Sequence, residues 1–297
     1  MNTLKVLILI ALTCGICHAQ SRSMADATYA LKGPVRTFRT EVATFTAGTN
    51  GPVEGPRVVQ MEAVFNEDGN RTDLHIYSPK GELSRRIVMT FDGRKEKEAF
   101  NYNGSGKLWL RLVHRYDDQG QPIGYVTYNG DGSLRSTRVT KRNSRGLLIE
   151  STETSAQGVL MEQITRRYDG PKVLSQERRV FYPNGSIRSV AVYAFATKRS
   201  ETTNYHPDGS IANTSFREDW DIAEFGAEGA LQKVTAISSD HRLLDEVMLK
   251  GDGSKTREAE LPDELDSHGN WTKKTKWVTD AKGTRPVKVT YRAITYY

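Results

Sequence analysis

Leu108-Trp109-Leu110-Arg111-Leu112-Val113-His114-Arg115-Tyr116-Asp117-Asp118-Gln119-Gly120 holds the pattern that decides the fold. In an extended chain, successive side chains point to opposite sides. Leu108, Leu110, Leu112, His114 and Tyr116 then share one face, and Trp109, Arg111, Val113 and Arg115 share the other. That alternation describes a strand with one face more buried than its reverse. The run ends on Gly120, where a tight reversal needs the positive φ that glycine adopts without steric cost.

The same unit recurs on both sides. Turn glycines stand at Gly69, Gly81, Gly93, Gly106, Gly120, Gly132, Gly146, Gly158, Gly170 and Gly185, with gaps of 12, 12, 13, 14, 12, 14, 12, 12 and 15 residues. Later ones are Gly209, Gly229, Gly253, Gly269 and Gly283. The gap of 24 before Gly209 holds two units, one turn glycine being lost near Lys198-Arg199. Self-similarity at a fixed period outranks local propensity, because it fixes the architecture. In 86–91, Ile87, Met89 and Phe91 alternate with Arg86, Val88 and Thr90. Helices are excluded, since a glycine every dozen residues would break each one. Strands joined by tight turns pair antiparallel with their sequence neighbours. The expected fold is therefore all-β: a long antiparallel meander of about fourteen to eighteen strands. So many strands do not stay flat, so the sheet is expected to be coiled or spiral. The segment 218–230 breaks the period and reads as a loop or short helix, and 50–56 as an irregular hairpin tip. Gly33-Pro34 is expected to open the sheet, and 271–277 and 287–297 to close it.

An aromatic often stands four residues before the turn glycine, as Phe65, Tyr77, Tyr102, Tyr116, Tyr128 and Tyr205 do. Tyr116-Asp117-Asp118-Gln119-Gly120, Phe65-Asn66-Glu67-Asp68-Gly69 and Tyr168-Asp169-Gly170 resemble the YD repeats of RHS-type proteins. Leu31-Lys32-Gly33-Pro34-Val35-Arg36 and Leu265-Asp266-Ser267-His268-Gly269-Asn270-Trp271-Thr272-Lys273 are similar to the ends of exported bacterial YD-repeat proteins, as is the final stretch 289–297. The resemblance spans roughly residues 31–297, although only Tyr116-Asp117 and Tyr168-Asp169 keep the literal dipeptide. The Asp-Pro boundary motif and C-terminal toxin segment of large RHS shells are missing. The resemblance implies stacked β-hairpins rather than a toxin cage, and it implies carbohydrate binding.

At the N-terminus, Lys5 precedes a short apolar run over 6–16, and Cys17-His18-Ala19 ends on a small residue. That order is a secretory signal peptide, 1–19, cleaved after Ala19. The run is too short to span a bilayer, which needs roughly 20 residues. A single elongated domain, 20–297, is then expected in the periplasm or outside the cell, with no transmembrane segment. Both cysteines, Cys14 and Cys17, leave with the signal, so no disulfide or thiol ligand is expected. Loss of Lys5 lowers the net charge from +6 to +5, a mild excess that makes nucleic acid an unsuitable partner.

No catalytic, cofactor or metal site is expected. His75, His114, His206, His241 and His268 stand apart from one another, without the ligand spacing that zinc requires. No Gly-x-Ser-x-Gly nucleophile turn occurs. Carboxylates gather at turns, in Glu67/Asp68, Asp117/Asp118, Asp131, Asp208 and Asp252, where they bond their own backbone. The densest basic segment is Arg135, Arg138, Lys141, Arg142 and Arg145, which on strands would line one face and attract an acidic glycan or other cell-envelope component. Arg135, Arg138 and Arg142, with Tyr116 and Tyr128 as stacking surfaces, are the expected ligand contacts. The expected function is a non-enzymatic envelope binding or structural module. Two alternatives stand beside it: a hydrolase of envelope polysaccharide with acids gathered on one sheet face, and a partner for another envelope protein bound through sheet edges.

Overall fold

In the computed structural model, residues 31–297 are described except 198, 219–220, 227–230, 238–242 and 250–254, with side chains described outside 217–257 and 261. Residues 1–19, expected as a signal peptide, with their two cysteines, and Gly229, His241, Asp252 and Gly253, lie outside the described residues.

The described residues form one antiparallel sheet. Its twenty-one strands run β1 (Val35–Gly48), β2 (Gly51–Glu54), β3 (Val58–Phe65), β4 (Arg71–Tyr77), β5 (Leu83–Asp92), β6 (Lys95–Asn103) and β7 (Leu108–Tyr116). Next come β8 (Pro122–Asn129), β9 (Leu134–Arg142), β10 (Leu148–Ser155), β11 (Leu160–Asp169), β12 (Lys172–Phe181), β13 (Ile187–Ala194) and β14 (Arg199–Tyr205). The last are β15 (Ile211–Glu218), β16 (Asp221–Gly226), β17 (Leu231–Ile237), β18 (Leu243–Leu249), β19 (Lys255–Leu265), β20 (Trp271–Asp280) and β21 (Gly283–Tyr296). Strands outnumber the expected fourteen to eighteen, and part of the excess lies where the glycine period fails. The stretch 218–230, expected as a loop or short helix, carries the end of β15 and all of β16, paired from Asn213↔Gly226 to Glu218↔Asp221. Pairing with neighbours overrides the lost turn signal.

From β3 to β21 each strand pairs with the next, as in β3–β4, β12–β13 and β20–β21. β1 pairs β3 on one side and β21 on the other, with Phe38 opposite both Ala63 and Ile294. The sheet therefore bends until its last strand lies beside its first. β2 is a short hairpin return at the end of β1, from Phe45↔Glu54 to Gly48↔Gly51.

The turns follow one plan. In the β7–β8 connection, Gly120 N–H donates to Asp117 O at 2.8 Å and Asp117 N–H donates to Gln121 O at 2.9 Å. Gly120 sits at φ +73°, the left-handed position that closes a type I turn with a bulge. Asp117 Oδ1 accepts from the backbone of Gln119 and Gln121, so the aspartate of the Tyr-Asp pair folds the turn. Asn103, Asn143 and Asp266 do the same at their own turns.

Each aromatic marks the same irregularity. Register shifts fall immediately before Phe65, Tyr77, Tyr102, Tyr116, Tyr128, Tyr168 and Tyr205. One extra residue bulges from the following strand, such as Trp109, Ile123 or Arg135, which are among the exposed residues of the sheet. The tyrosine hydroxyls reach backbone carbonyls of other strands, the preceding one for Tyr116 and Tyr168 and β14 for Tyr182. Tyr116 donates to Glu96 O at 2.8 Å, Tyr168 to Leu148 O at 2.7 Å and Tyr182 to Tyr205 O at 2.8 Å. The ring closes the strand while the hydroxyl ties it to the backbone of another strand, a role phenylalanine cannot fill.

One face of β1 and β3–β6 carries the apolar core: Leu31, Val35, Phe38, Ala63, Phe65, Leu74, Ile87, Met89 and Ala99, with Phe91 and Leu112 packed against it. The opposite face carries ion pairs, Arg39–Glu62 (3.2 Å), Arg86–Asp73 (2.6 Å), Arg111–Glu98 (2.6 Å) and Lys141–Glu150 (2.8 Å). Two blocks far apart in sequence meet beside the core. Asn270, 2% exposed, accepts from Lys32 N at 2.6 Å, and its Nδ2 donates to Lys32 O at 2.9 Å. The His268 ring stacks on Tyr296 at 4.0 Å, and a Cβ on Gly33 would stand 2.8 Å from that imidazole.

Candidate functional site

Cross-strand register carries the core face outward. Met89 pairs Ala99, Ala99 pairs Leu112, Leu112 pairs Thr127 and Thr127 pairs Ser136. Directly opposed residues share a face, and so do residues two apart on a strand. Over β8–β12 this face changes from apolar to polar. Tyr125, Arg138, Glu153 and Glu162 lie in one register row.

Arg138 is 7% exposed at its side chain and bonds Glu153 at 2.7 Å and also Glu162. Ser136 Oγ donates to Glu153 at 2.7 Å, Tyr125 OH donates to Glu153 at 3.1 Å, and Arg178 also pairs Glu162. Burial raises the Glu153 carboxyl, but the donors Ser136 and Arg138 outweigh it and hold the group below its ordinary value. Burial likewise works against the Arg138 charge, and Tyr125, Glu162 and Glu153 outweigh it, so its pKa is raised. Two carboxylates held by guanidinium groups are scaffold chemistry. A glycosidase acid instead needs an environment that keeps its proton on.

The concavity of interest lies elsewhere, between the β5–β6 and β7–β8 turns. It is an open groove of about 300 Å³ lined by Asp92, Lys95, Lys97, Glu98, Val113, His114, Tyr116, Asp117, Asp118 and Gly120. Register at its wall places Thr90 opposite Glu98 and Phe91 opposite Glu96, which leaves Lys97 without an opposite number. Such a bulge re-aims its neighbours. Glu96 Oε1 lies 3.4 Å from His114 Nε2. The Tyr116 ring closes one side, with Lys95 Nζ 5.8 Å from its centre, and burial next to Glu96 raises its pKa.

The five expected contacts do not converge. The expectation that Arg135, Arg138, Lys141, Arg142 and Arg145 line one face is overturned by the period-two geometry of β9. Arg138 and Arg142 share the core face, Lys141 is on the reverse paired to Glu150, Arg135 bulges out exposed, and Arg145 is in a turn. Arg142 braces two turns, donating to Gly146 O at 2.8 Å and Pro122 O at 3.1 Å. Tyr128 stands in register with Arg111 and Phe100 on the ion-paired face, with the guanidinium 6.0 Å and 5.6 Å from the two rings. Of the five, Tyr116 alone lines the groove. Glu96, Glu153, Glu162 and Arg178 escaped the sequence reading because their partners are fixed by strand register.

Among the described residues, no helix is long and apolar enough to cross a membrane. No group of three or more metal-ligating side chains occurs among them.

No family model and no curated protein matches this chain. Among solved structures, a porin-like protein from Bacteroides uniformis is similar at a TM-score of 0.34 and 10% identity, covering 89% of this chain and 98% of that one. The TcdB2-TccC3-Cdc42 structure is similar at 0.25 and 9% identity over 87% of this chain. TcdB2-TccC3 without its hypervariable C-terminal region is similar at 0.19 and 12% identity over 80%. This chain spans 17% and 15% of those two chains. Likenesses at this level carry no inference about what the chain binds.

Proposed function

We propose that the chain is a non-enzymatic binding module of the bacterial cell envelope, exported and built of YD-type repeats, which takes a hydroxyl-rich glycan in the groove beside Tyr116. The observation that carries this reading is the convergence of donors (Lys95, Lys97, His114) and acceptors (Asp92, Asp117, Asp118) around one aromatic ring in a groove of about 300 Å³. Sugars present hydroxyl edges to charged hydrogen-bonding groups and a C–H face to aromatic rings. That volume is at the small end of ligand sites, fitting one or two sugar rings. Carboxylates outnumber cations in the lining, so neutral and amino sugars suit the groove better than the acidic glycan that the basic segment suggests. The edge-bound protein partner loses ground, because β1 and β3 through β21 each have neighbours on both sides.

The test is a glycan array followed by calorimetry on the full chain. Lys97→Ala with Asp118→Ala is expected to weaken binding roughly tenfold, the loss of about 1.4 kcal/mol. Arg135→Ala is expected to leave it unchanged. Absence of binding to every neutral, amino and acidic glycan would sink the reading. A second reading, hydrolysis, is favoured by His114, which lines the groove with Glu96 3.4 Å behind it, since an imidazole beside a carboxylate can move protons. Turnover of a bound glycan that His114→Ala abolishes would replace binding with catalysis.

A further inference from the structure

Four Asn-Gly pairs occur in the chain, Asn50-Gly51, Asn103-Gly104, Asn129-Gly130 and Asn184-Gly185. Asn-Gly is the dipeptide in which the following amide nitrogen meets least obstruction in attacking the asparagine side chain, because glycine has no Cβ. The fold treats the four differently. Asn103 Oδ1 is held by Ser105 N at 3.1 Å, Ser105 Oγ at 2.8 Å and Lys107 N at 2.9 Å. Asn184 Oδ1 is held by Ser186 N at 3.0 Å and Ser186 Oγ at 2.8 Å. Asn129 Nδ2 donates to Ser133 Oγ at 3.0 Å. Gly104 and Gly130 are also pressed against the neighbouring strand, where an added Cβ would stand 2.1 Å from Leu83 O and 2.0 Å from Leu108 O.

Asn50 and Gly51 are exposed at the tip of the β1–β2 hairpin, and nothing lies within 4 Å of where a Gly51 Cβ would be. Among the described residues, no hydrogen bond holds the Asn50 side-chain amide. We infer that Asn50 is a site of spontaneous deamidation, set apart from Asn103 and Asn129 by its open backbone and from all three by its unclamped side chain. In that step the Gly51 nitrogen bonds to Asn50 Cγ, the Cγ–Nδ2 bond breaks, and ammonia leaves carrying the proton from the Gly51 amide. Water then opens the succinimide ring at either carbonyl, giving aspartate or isoaspartate. At the other three sites the same step must first break the turn hydrogen bonds, so its rate follows local opening.

The folded full-length chain, aged at neutral pH, would be mapped by protease digestion, mass spectrometry and isoaspartyl methyltransferase labelling. Modification is expected at Asn50 roughly tenfold faster than at Asn103, Asn129 or Asn184. In denaturant the four should converge to similar rates. Asn50→Gln should remove the early labelling without shifting the unfolding midpoint. Equal rates among the four in the folded chain, or a folded-state Asn50 slower than any of the others, would overturn the inference.

Discussion

Replacing Arg138 by methionine would leave Glu153 and Glu162 facing each other across β10 and β11, where they are in register. Their side chains are 17% and 10% exposed, so water would solvate them poorly. Removing one partner from a buried ionic cluster costs about 3–5 kcal/mol. The lower half applies here, because Ser136 and Tyr125 still donate to Glu153 and Arg178 still pairs Glu162. A loss near 3 kcal/mol corresponds to a drop in Tm of roughly 6–12 °C for a chain of this size. The pH dependence carries the sharper test. In the wild type the Glu153 pKa is depressed, so its contribution is present above the unfolded carboxyl value of about 4.3 and lost as pH falls through the folded value. In Arg138→Met the Glu153 carboxylate loses its guanidinium and faces a second carboxylate, so the penalty is full at neutral pH and fades as protons bind. Urea unfolding of both proteins at about pH 7.5 and about pH 4.5 should therefore show the gap shrinking on acidification. A triple variant, Arg138→Met with Glu153→Gln and Glu162→Gln, should recover at least half of the loss. The reasoning fails if Arg138→Met costs under about 1 kcal/mol, or if its cost is the same at both pH values.

Tyr168→Phe keeps the ring and deletes the bond to Leu148 O, so urea unfolding should show a loss of about 0.5–1.5 kcal/mol. Gly132→Ala meets no atom within 4 Å but sits at φ +85°, so its cost should be the backbone strain alone, about 1 kcal/mol. Gly124→Ala would drive a Cβ to 2.0 Å from Arg138 O and should cost several times more in the same assay. Asn270→Ala strips buried partners from Lys32 and Tyr296, for a loss of about 2–4 kcal/mol. Hydrogen exchange should then quicken in β1 and β21 ahead of β7 and β8.

The hairpin architecture was legible because each turn is written locally: Gly120 at positive φ, Asp117 bonding its own backbone two and four residues on, Tyr116 closing the strand. The bulge before Tyr116 was not, since it appears only when β7 and β8 are laid side by side. The same limit explains the basic segment. Spacing in 135–145 suggests a patch, whereas alternation with one bulge sends Arg138 inward, Lys141 to the reverse face and Arg135 into solvent. Glu153 and Glu162, which complete the Arg138 cluster, lie 15 and 24 residues away with no local signature. The β16 strand was missed for the converse reason, no glycine standing a dozen residues after Gly209 to mark the repeat. His114 stood out as a residue, but its neighbour Glu96 reaches it through a bulge on another strand.

The pairing of Val35 with Tyr296 has a kinetic meaning. A ribosome releases β1 first and β21 last, so the earliest strand waits through the whole of synthesis with one row of amides unanswered. Assembly can run from hairpin to hairpin quickly, but the final seam joins segments at nearly the largest sequence separation the chain allows, the kind of contact that slows folding. Deleting the C-terminal β21 would not merely shorten the molecule. It would leave both β1 and β20 permanently open to pairing with other chains, and the expected product is aggregate rather than a smaller stable protein.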